Sequence, residues 1–265
     1  MPTLRAGYRY VAVAAHLLSG VATVALLFPF LDRGEREKRL MRWSARLLGR
    51  LGVRVVSSGR PPTVRGGGAL LVANHVSWLD IHVVHSQLPA RFISKAEVRG
   101  WPVIGWLADK AGGTLFLERT RKADAKRVNA VMAGHLRDGD CLALFPEGTT
   151  SDGRDLLPFF PSLFQPAVEA AATVWPARIR YLDPDGGHSE VAAYFGDMSL
   201  LESLRRIARA PGIVAEIEYL PAFASQGQSR RELAARAESV IRAALAGAGR
   251  DTAPGTPAGL RAGSR

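Results

Sequence analysis

The sequence predicts an α/β fold: a largely parallel or mixed sheet flanked by helices, preceded by an N-terminal helical membrane-binding segment. Three observations carry that expectation. From residue 66 onward, short apolar runs alternate with helical stretches, the pattern of strands joined by crossover helices. Ahead of them, Tyr10 to Leu31 form an apolar run flanked by Arg5, Arg9, Arg33 and Arg36. With 265 residues, 47% of them hydrophobic, the chain can bury one ample core with appendages rather than two full domains.

As a helix, the run from residue 10 to 31 would reach about 33 Å, enough for a hydrocarbon core about 30 Å thick. No small-x-small cleavage site follows it, so a removable leader is disfavoured. The segment either spans the bilayer or lies in one leaflet, and the basic residues beyond it put the following domain on the cytoplasmic side. Next, Leu40, Trp43, Leu47 and Leu51 recur at helical spacing, with Arg39, Arg42, Arg46 and Arg50 on the other side. This basic amphipathic helix either packs on the domain or lies on anionic lipid.

Charge follows the same division. The formal net charge is +11, and residues 1–60 hold eleven Lys and Arg against three Asp and Glu. So localised an excess suits an anionic surface met by one segment. The apolar run interrupting it argues against nucleic acid. The single cysteine, Cys141, allows no intrachain disulfide and no multi-cysteine metal site.

Strands are expected at 69–73, 91–94, 114–118, 141–145, 174–181, 191–195 and 214–220. Helices are expected at 77–87, 121–137, 162–172, 199–208 and 230–246. Three strands run into polar residues: ALLVA into Asn74 and His75, TLFLE into Arg119, and CLALF into Pro146, Glu147, Gly148 and Thr149. Ligand sites in open α/β sheets form beyond the carboxyl ends of strands, which nominates these residues.

In NHVSWLD, His75 and Asp80 are five apart and would not meet on a regular helix. A capping box at Ser77-Trp78-Leu79-Asp80 would start a helix at Ser77 and leave His75 in the preceding turn. Asp80 could then hold one imidazole nitrogen while the other takes a proton from a hydroxyl. No G-x-S-x-G elbow occurs, so the substrate's own hydroxyl is the expected nucleophile. His82 and His85 follow at helical spacing and are expected to pack or be solvated; no metal is assigned. Gly148 and Thr149 let backbone approach a ligand, and Glu147 either binds substrate hydroxyls or braces the loop. Arg119 opens a basic stretch that is otherwise a solvated helix start. Lys95 could meet a phosphate or a developing oxyanion.

These blocks resemble those of the 1-acylglycerol-3-phosphate acyltransferases within the glycerolipid acyltransferase superfamily. The first is Asn74 to Asp80, the second is Gly113 to Arg119 (GTLFLER), and the third is Phe145 to Ser151 (FPEGTTS), in the family's order. The resemblance implies His75 as general base, Asp80 as its orienter, Arg119 as phosphate ligand, and Glu147 with Gly148 in acceptor binding. It implies acyl transfer from acyl-CoA or acyl carrier protein to a lysophospholipid, foremost 1-acylglycerol-3-phosphate, without a cofactor, on the cytoplasmic face of a bacterial inner membrane. Two departures stand out: Thr150 where many relatives carry arginine, and LPFFPSLFQPA where they often have a lysine and a glycine. That pattern is similar to lyso-ornithine-lipid acyltransferases, the alternative acceptor class. A non-catalytic lipid-binding relative is the other alternative, against which the intact His75, Asp80, Arg119 and Glu147 stand. The expected division is thus 1–60 for membrane-anchoring and amphipathic helices, 61–246 for the catalytic domain, and 247–265 for a disordered tail.

Overall fold

The computed structural model describes residues 2–63, 68–101, 103–111, 113–117 and 122–251. Two long helices come first, α1 (Pro2–Leu26) and α2 (Arg33–Leu51). Asp32 caps α2 by accepting from Glu35 N, and Gly52 ends it in the left-handed conformation, φ 77°. Strand β1 (Val53–Ser58) follows, then β2 (Ala69–Ala73), α3 (Leu79–His85), β3 (Arg91–Lys95), α4 (Ile104–Lys110) and β4 (Leu115–Leu117). The chain continues through α5 (Lys122–Arg137), β5 (Cys141–Leu144), α6 (Gln165–Ala170), β6 (Thr173–Leu182), α7 (Leu200–Arg209), β7 (Ile213–Tyr219), β8 (Phe223–Ala224) and α8 (Arg230–Asp251).

The sheet order is β1-β7-β6-β2-β5-β3-β4, with β8 also on β6. Strands β2 to β6 are mutually parallel where they pair, whereas β7 is antiparallel to β6, so the sheet is mixed. Strands β2 and β5 are buried at every residue, as central strands covered on both faces must be. One core fills the α2, α3 and α7 side, including Leu48, Leu79 and Ile207. The other fills the α5, α6 and α8 side, including Leu70, Met132 and Phe164.

Four details differ from the sequence expectation. Residues 191–195 form a bend rather than a strand, because Tyr194 N donates to Val76 O and carries the segment across the turn after β2. Strands β1 and β8 and helix α4 add to the expected set. Helix α8 runs to Asp251, past the expected helix end at 246. Residues 252–265 lie outside those described. Helix α1 begins at Pro2 and ends at Leu26, with Pro29 in the short 3-10 turn that follows.

Helix α1 is bound to the domain along one stripe. Ala6, Arg9, Val13, His16 and Val24 are buried at helical spacing. Arg9 donates to the carbonyls of Ile207, Ala208 and Ala210 at the C-terminal end of α7, where its charge also meets the negative helix end. It reaches them through the space left by Gly52, where a Cβ would sit 1.8 Å from the guanidinium. His16 stacks on Trp43 of α2 at 4.7 Å and meets Arg50. The opposite face of α1 is apolar and open: Leu4, Tyr8, Val11, Leu18 and Leu26 are each about two-thirds exposed or more. Helix α2 packs on the domain through Ser44, Leu47, Leu48 and Leu51.

Candidate active site

The carboxyl ends of β2 and β5 lie side by side, and two of the motif blocks leave from them. The backbone groups of the turn after β2 are held by side chains of the same turn or by other segments. His75 N donates to Glu147 Oε1 at 2.6 Å, and His75 O accepts from Ser151 N at 2.9 Å. Val76 N and Ser77 N both donate to Asp80 Oδ2, at 2.7 and 2.9 Å. The Asn74 side chain bonds both the N–H and the C=O of Ile179, tying β6 to this turn. Buried backbone groups cost free energy unless paired, so these partners fix the turn rather than merely decorate it.

The expected capping box is present in altered form. Ser77 Oγ accepts from Leu79 N and the Asp80 carboxylate reaches back to Ser77 N, but the helix starts at Leu79 instead of Ser77. This geometry brings His75 Nδ1 to 2.8 Å from Asp80 Oδ2. Because Asp80 is fully buried and its Oδ2 already accepts two amides, Nδ1 is the nitrogen carrying hydrogen. Nε2 makes no hydrogen bond among the described residues, and the side chain keeps 18% exposure. Phe145 stacks on the imidazole at 3.9 Å with its plane 3° away. The result is an imidazole with a fixed ring and one open nitrogen, suited to accept a proton from a hydroxyl.

In the third block, Phe145 to Gly148 form a turn, with Gly148 N donating to Phe145 O. Gly148 has φ 70°, which a side chain would strain. Glu147 is 3% exposed and its two oxygens are taken by His75 N and Leu157 N, which agrees with bracing the loop. Burial pushes its carboxyl up to about 7 against the lowering effect of those two amides. Thr149 is exposed and Gly148 partly so. Arg154 pairs with Glu190, and Arg242 of α8 with Asp155 and Glu238.

Strand β4 points the same way as β2 and β5, and stands three strands from β2, about 14 Å across the sheet. Arg119, just past it, lies outside the described residues, and of Lys95 only the backbone in β3 is described. His82 and His85 do not join His75. Burial drives them down to about 3 and about 4, leaving both neutral; His85 Nε2 bonds Ala90 O, and His82 Nδ1 stands 3.5 Å from Ser44 Oγ.

Two further residues complete the site: Asn74, nominated as a polar strand end, and Tyr181, which the sequence pattern shows only as part of the strand VWPARIRY. The Tyr181 hydroxyl donates to Asp80 Oδ1 at 2.6 Å. Its signal was parity: Ala177, Ile179 and Tyr181 share the buried face of β6, where a phenol requires a polar partner.

Beside the dyad, an apolar cavity of about 250 Å3 runs between α1–α2 and α3–β3–α4, lined by Leu17, Val24, Trp43, Ile81, Phe92 and Leu107 among others. Phe92 connects it to the dyad by stacking on Phe145 at 5.6 Å.

Comparison with known proteins agrees with this architecture. Residues 54–180 match the Acyltransferase family model. The chain is 42% identical to a lyso-ornithine lipid O-acyltransferase of Pseudomonas aeruginosa, over 83% of either chain. It is 36% identical to a 1-acyl-sn-glycerol-3-phosphate acyltransferase of Neisseria gonorrhoeae, over 71% of this chain and 73% of that one. The crystal structure of a 1-acyl-sn-glycerophosphate acyltransferase from Thermotoga maritima superposes with a TM-score of 0.71 at 22% identity, covering 97% of this chain and all of that one. An oriented histidine at the end of β2, the third block locked onto it, and relatives of this identity together make the chain a member of the acyltransferase family.

Proposed function

We propose that the protein transfers a fatty acyl group from a thioester of coenzyme A or acyl carrier protein to the free hydroxyl of a lysolipid, with His75 as general base. The observation that carries this reading is the 2.8 Å bond from His75 Nδ1 to a fully buried Asp80, which leaves Nε2 open. Nε2 takes the proton of the acceptor hydroxyl as its oxygen attacks the thioester carbonyl. Asp80 stabilises the imidazolium so formed. The tetrahedral oxyanion then collapses, the C–S bond breaks, and the imidazolium returns its proton to the departing thiolate. The products are an ester and a free thiol. Gly148 and Thr149 line the acceptor's approach, Glu147 braces it, and Arg119 and Lys95 supply positive charge for phosphate or oxyanion. The cavity beside the dyad receives an acyl chain, because its lining is almost wholly apolar.

The apolar outer face of α1 supports lodging in one leaflet of the membrane. A spanning helix would have to release the stripe that binds it to α2 and α7, including three hydrogen bonds from Arg9. The cytoplasmic face of a bacterial inner membrane suits soluble thioester donors and the bacterial relatives.

Two acceptors fit the site. The intact second block, ending in Arg119, supports 1-acylglycerol-3-phosphate. The lyso-ornithine lipid reading is favoured by the Pseudomonas relative and by Arg154 and Arg242, whose charges beside the third block are already matched by carboxylates. The test is to measure kcat/KM for both lipids with wild type, Arg119→Ala and Arg119→Lys. If a phosphate is gripped, Arg119→Ala raises KM for lysophosphatidate roughly 10- to 150-fold, the size of one hydrogen bond to a charged group, and lysine restores it only in part. Turnover of lyso-ornithine lipid alone would assign the acceptor to the aminolipid, and turnover of neither would sink the transfer reading.

A further inference from the structure

Asp80 is completely buried and has four donors around it. Three converge on Oδ2: His75 Nδ1, Val76 N and Ser77 N. The other oxygen, Oδ1, receives the Tyr181 hydroxyl at 2.6 Å. Tyr181 lies on β6, one hundred and one positions along the chain from Asp80, and is 1% exposed. Its strand is held at this register by Asn74, whose amide bonds both backbone groups of Ile179, two residues earlier on the same face. One residue of slip would turn the phenol to the opposite side of the sheet.

We propose that Tyr181 is a positioning residue of the transfer reaction, the third member of a Tyr181–Asp80–His75 chain that locks the Asp80 carboxylate and sets how strongly it draws on the imidazole. The proposal rests on the general-base reading of His75. Without the phenol, Oδ1 would be a buried oxygen with no donor among the described residues, and the carboxylate could rotate away from the two amides and Nδ1. A short hydrogen bond also holds part of the negative charge on Oδ1, leaving less to stabilise imidazolium. Tyr181 thereby shares the Asp80 charge with the imidazole and limits how strongly the carboxylate favours imidazolium. Burial and the neighbouring Asp80 push the phenol's own ionisation well above its ordinary range, so it remains a donor throughout. The other groups that face the pair are Glu147, through the His75 backbone, the Ser77 hydroxyl beside the phenol, and the uncharged Phe145 ring.

The experiment follows the His75 imidazole directly, by NMR of histidine-labelled full-length protein in micelles, with His75→Ala identifying its signal. In Tyr181→Phe the His75 ring should titrate at higher pH than in wild type. Its kcat should fall about 10- to 150-fold, the size of one hydrogen bond to a charged group, with KM for the lysolipid little changed. The acid limb of kcat/KM should move up with the ring. Replacing Tyr181 by 3-fluorotyrosine, a stronger donor of the same shape, should move both downward and keeps the test available if the phenylalanine variant folds poorly. In an Asp80→Asn background, Tyr181→Phe should cost little more. An unmoved His75 titration in both Tyr181 variants, or kcat losses that simply multiply with those of Asp80→Asn, would overturn the proposal. Failure of the general-base reading is seen elsewhere, as retained turnover in His75→Ala.

Discussion

Glu147 holds the backbone of His75: its Oε1 accepts the His75 N–H at 2.6 Å while Oε2 accepts that of Leu157 at 2.9 Å. The carboxylate of the third block thus fixes the first block's histidine without touching its ring. Glutamine has one acceptor oxygen and would set an NH2 against one of these amides. Even at pH 5, where the carboxyl is protonated, its hydroxyl oxygen still accepts and an amide NH2 does not, so Glu147→Gln should lose about 1–3 kcal/mol of stability. It should also lose turnover at least about tenfold, since a small misplacement of His75 is costly. Denaturant unfolding and initial rates on one preparation check both.

The same carboxyl gives a pH signature. Its pKa is raised in the folded protein, to about 7 from an ordinary 4.5, so the folded state binds the proton more tightly than the unfolded chain. The associated stability is full below about pH 4.5 and is lost as pH rises through 7, in total on the order of 3 kcal/mol. Melting followed from pH 4.5 to 8 should show wild type losing stability relative to Glu147→Gln. Parallel curves for the two proteins would contradict the raised value.

His75→Ala should abolish transfer while leaving the fold intact, because the ring contributes one partly exposed face and its Asp80 partner keeps three other donors. Asp80→Asn should reduce kcat by orders of magnitude through the wrong tautomer. Circular dichroism beside the assay separates chemistry from folding. Wild-type turnover in His75→Ala would remove the base from the mechanism.

Attachment should survive salt. High ionic strength screens the arginines of α2 but leaves the apolar face of α1 in lipid. Val11→Asp with Leu18→Asp, both 71% exposed, should weaken vesicle binding at least about tenfold per site, given roughly 1.5–3 kcal/mol for burying each side chain. Flotation at 50 mM and 1 M salt reads this. Complete release of wild type by salt alone would exclude an apolar anchor.

The order of strands and helices around β2 and β5 was legible from alternating runs, and the dyad from the strand-to-helix turn that the residue types of NHVSWLD require. What stayed hidden depends on contacts far apart in sequence. Tyr181 reads as one more aromatic in a strand until Asn74 fixes its register against the turn. The segment at 191–195 has the apolar pattern of a strand, but Val76 O, in the turn after β2, takes the Tyr194 amide. The apolar run at 10–31 has the pattern of a single apolar unit, yet the helix that contains its first part buries a stripe carrying Arg9, just ahead of the run, and His16, polar residues whose partners on α7 and α2 no local window contains. Glu147 shows the limit for the site: a carboxylate after a strand is visible, but whether it faces substrate or backbone is decided by two amides at positions 75 and 157.

The way Arg9 fastens α1 to the end of α7 has a kinetic meaning. With the apolar face of α1 in lipid, as proposed, this joint would hold the histidine at a constant height over the bilayer, and the enzyme would meet its acceptor as a two-dimensional solute. Its rate should then obey surface dilution: adding inert phospholipid at constant bulk lysolipid lowers turnover, whereas diluting vesicles of constant composition does not, once all enzyme is bound. Loosening that one joint, with Arg9→Ala, would let the core tilt on its anchor and blur the depth at which hydroxyls are collected.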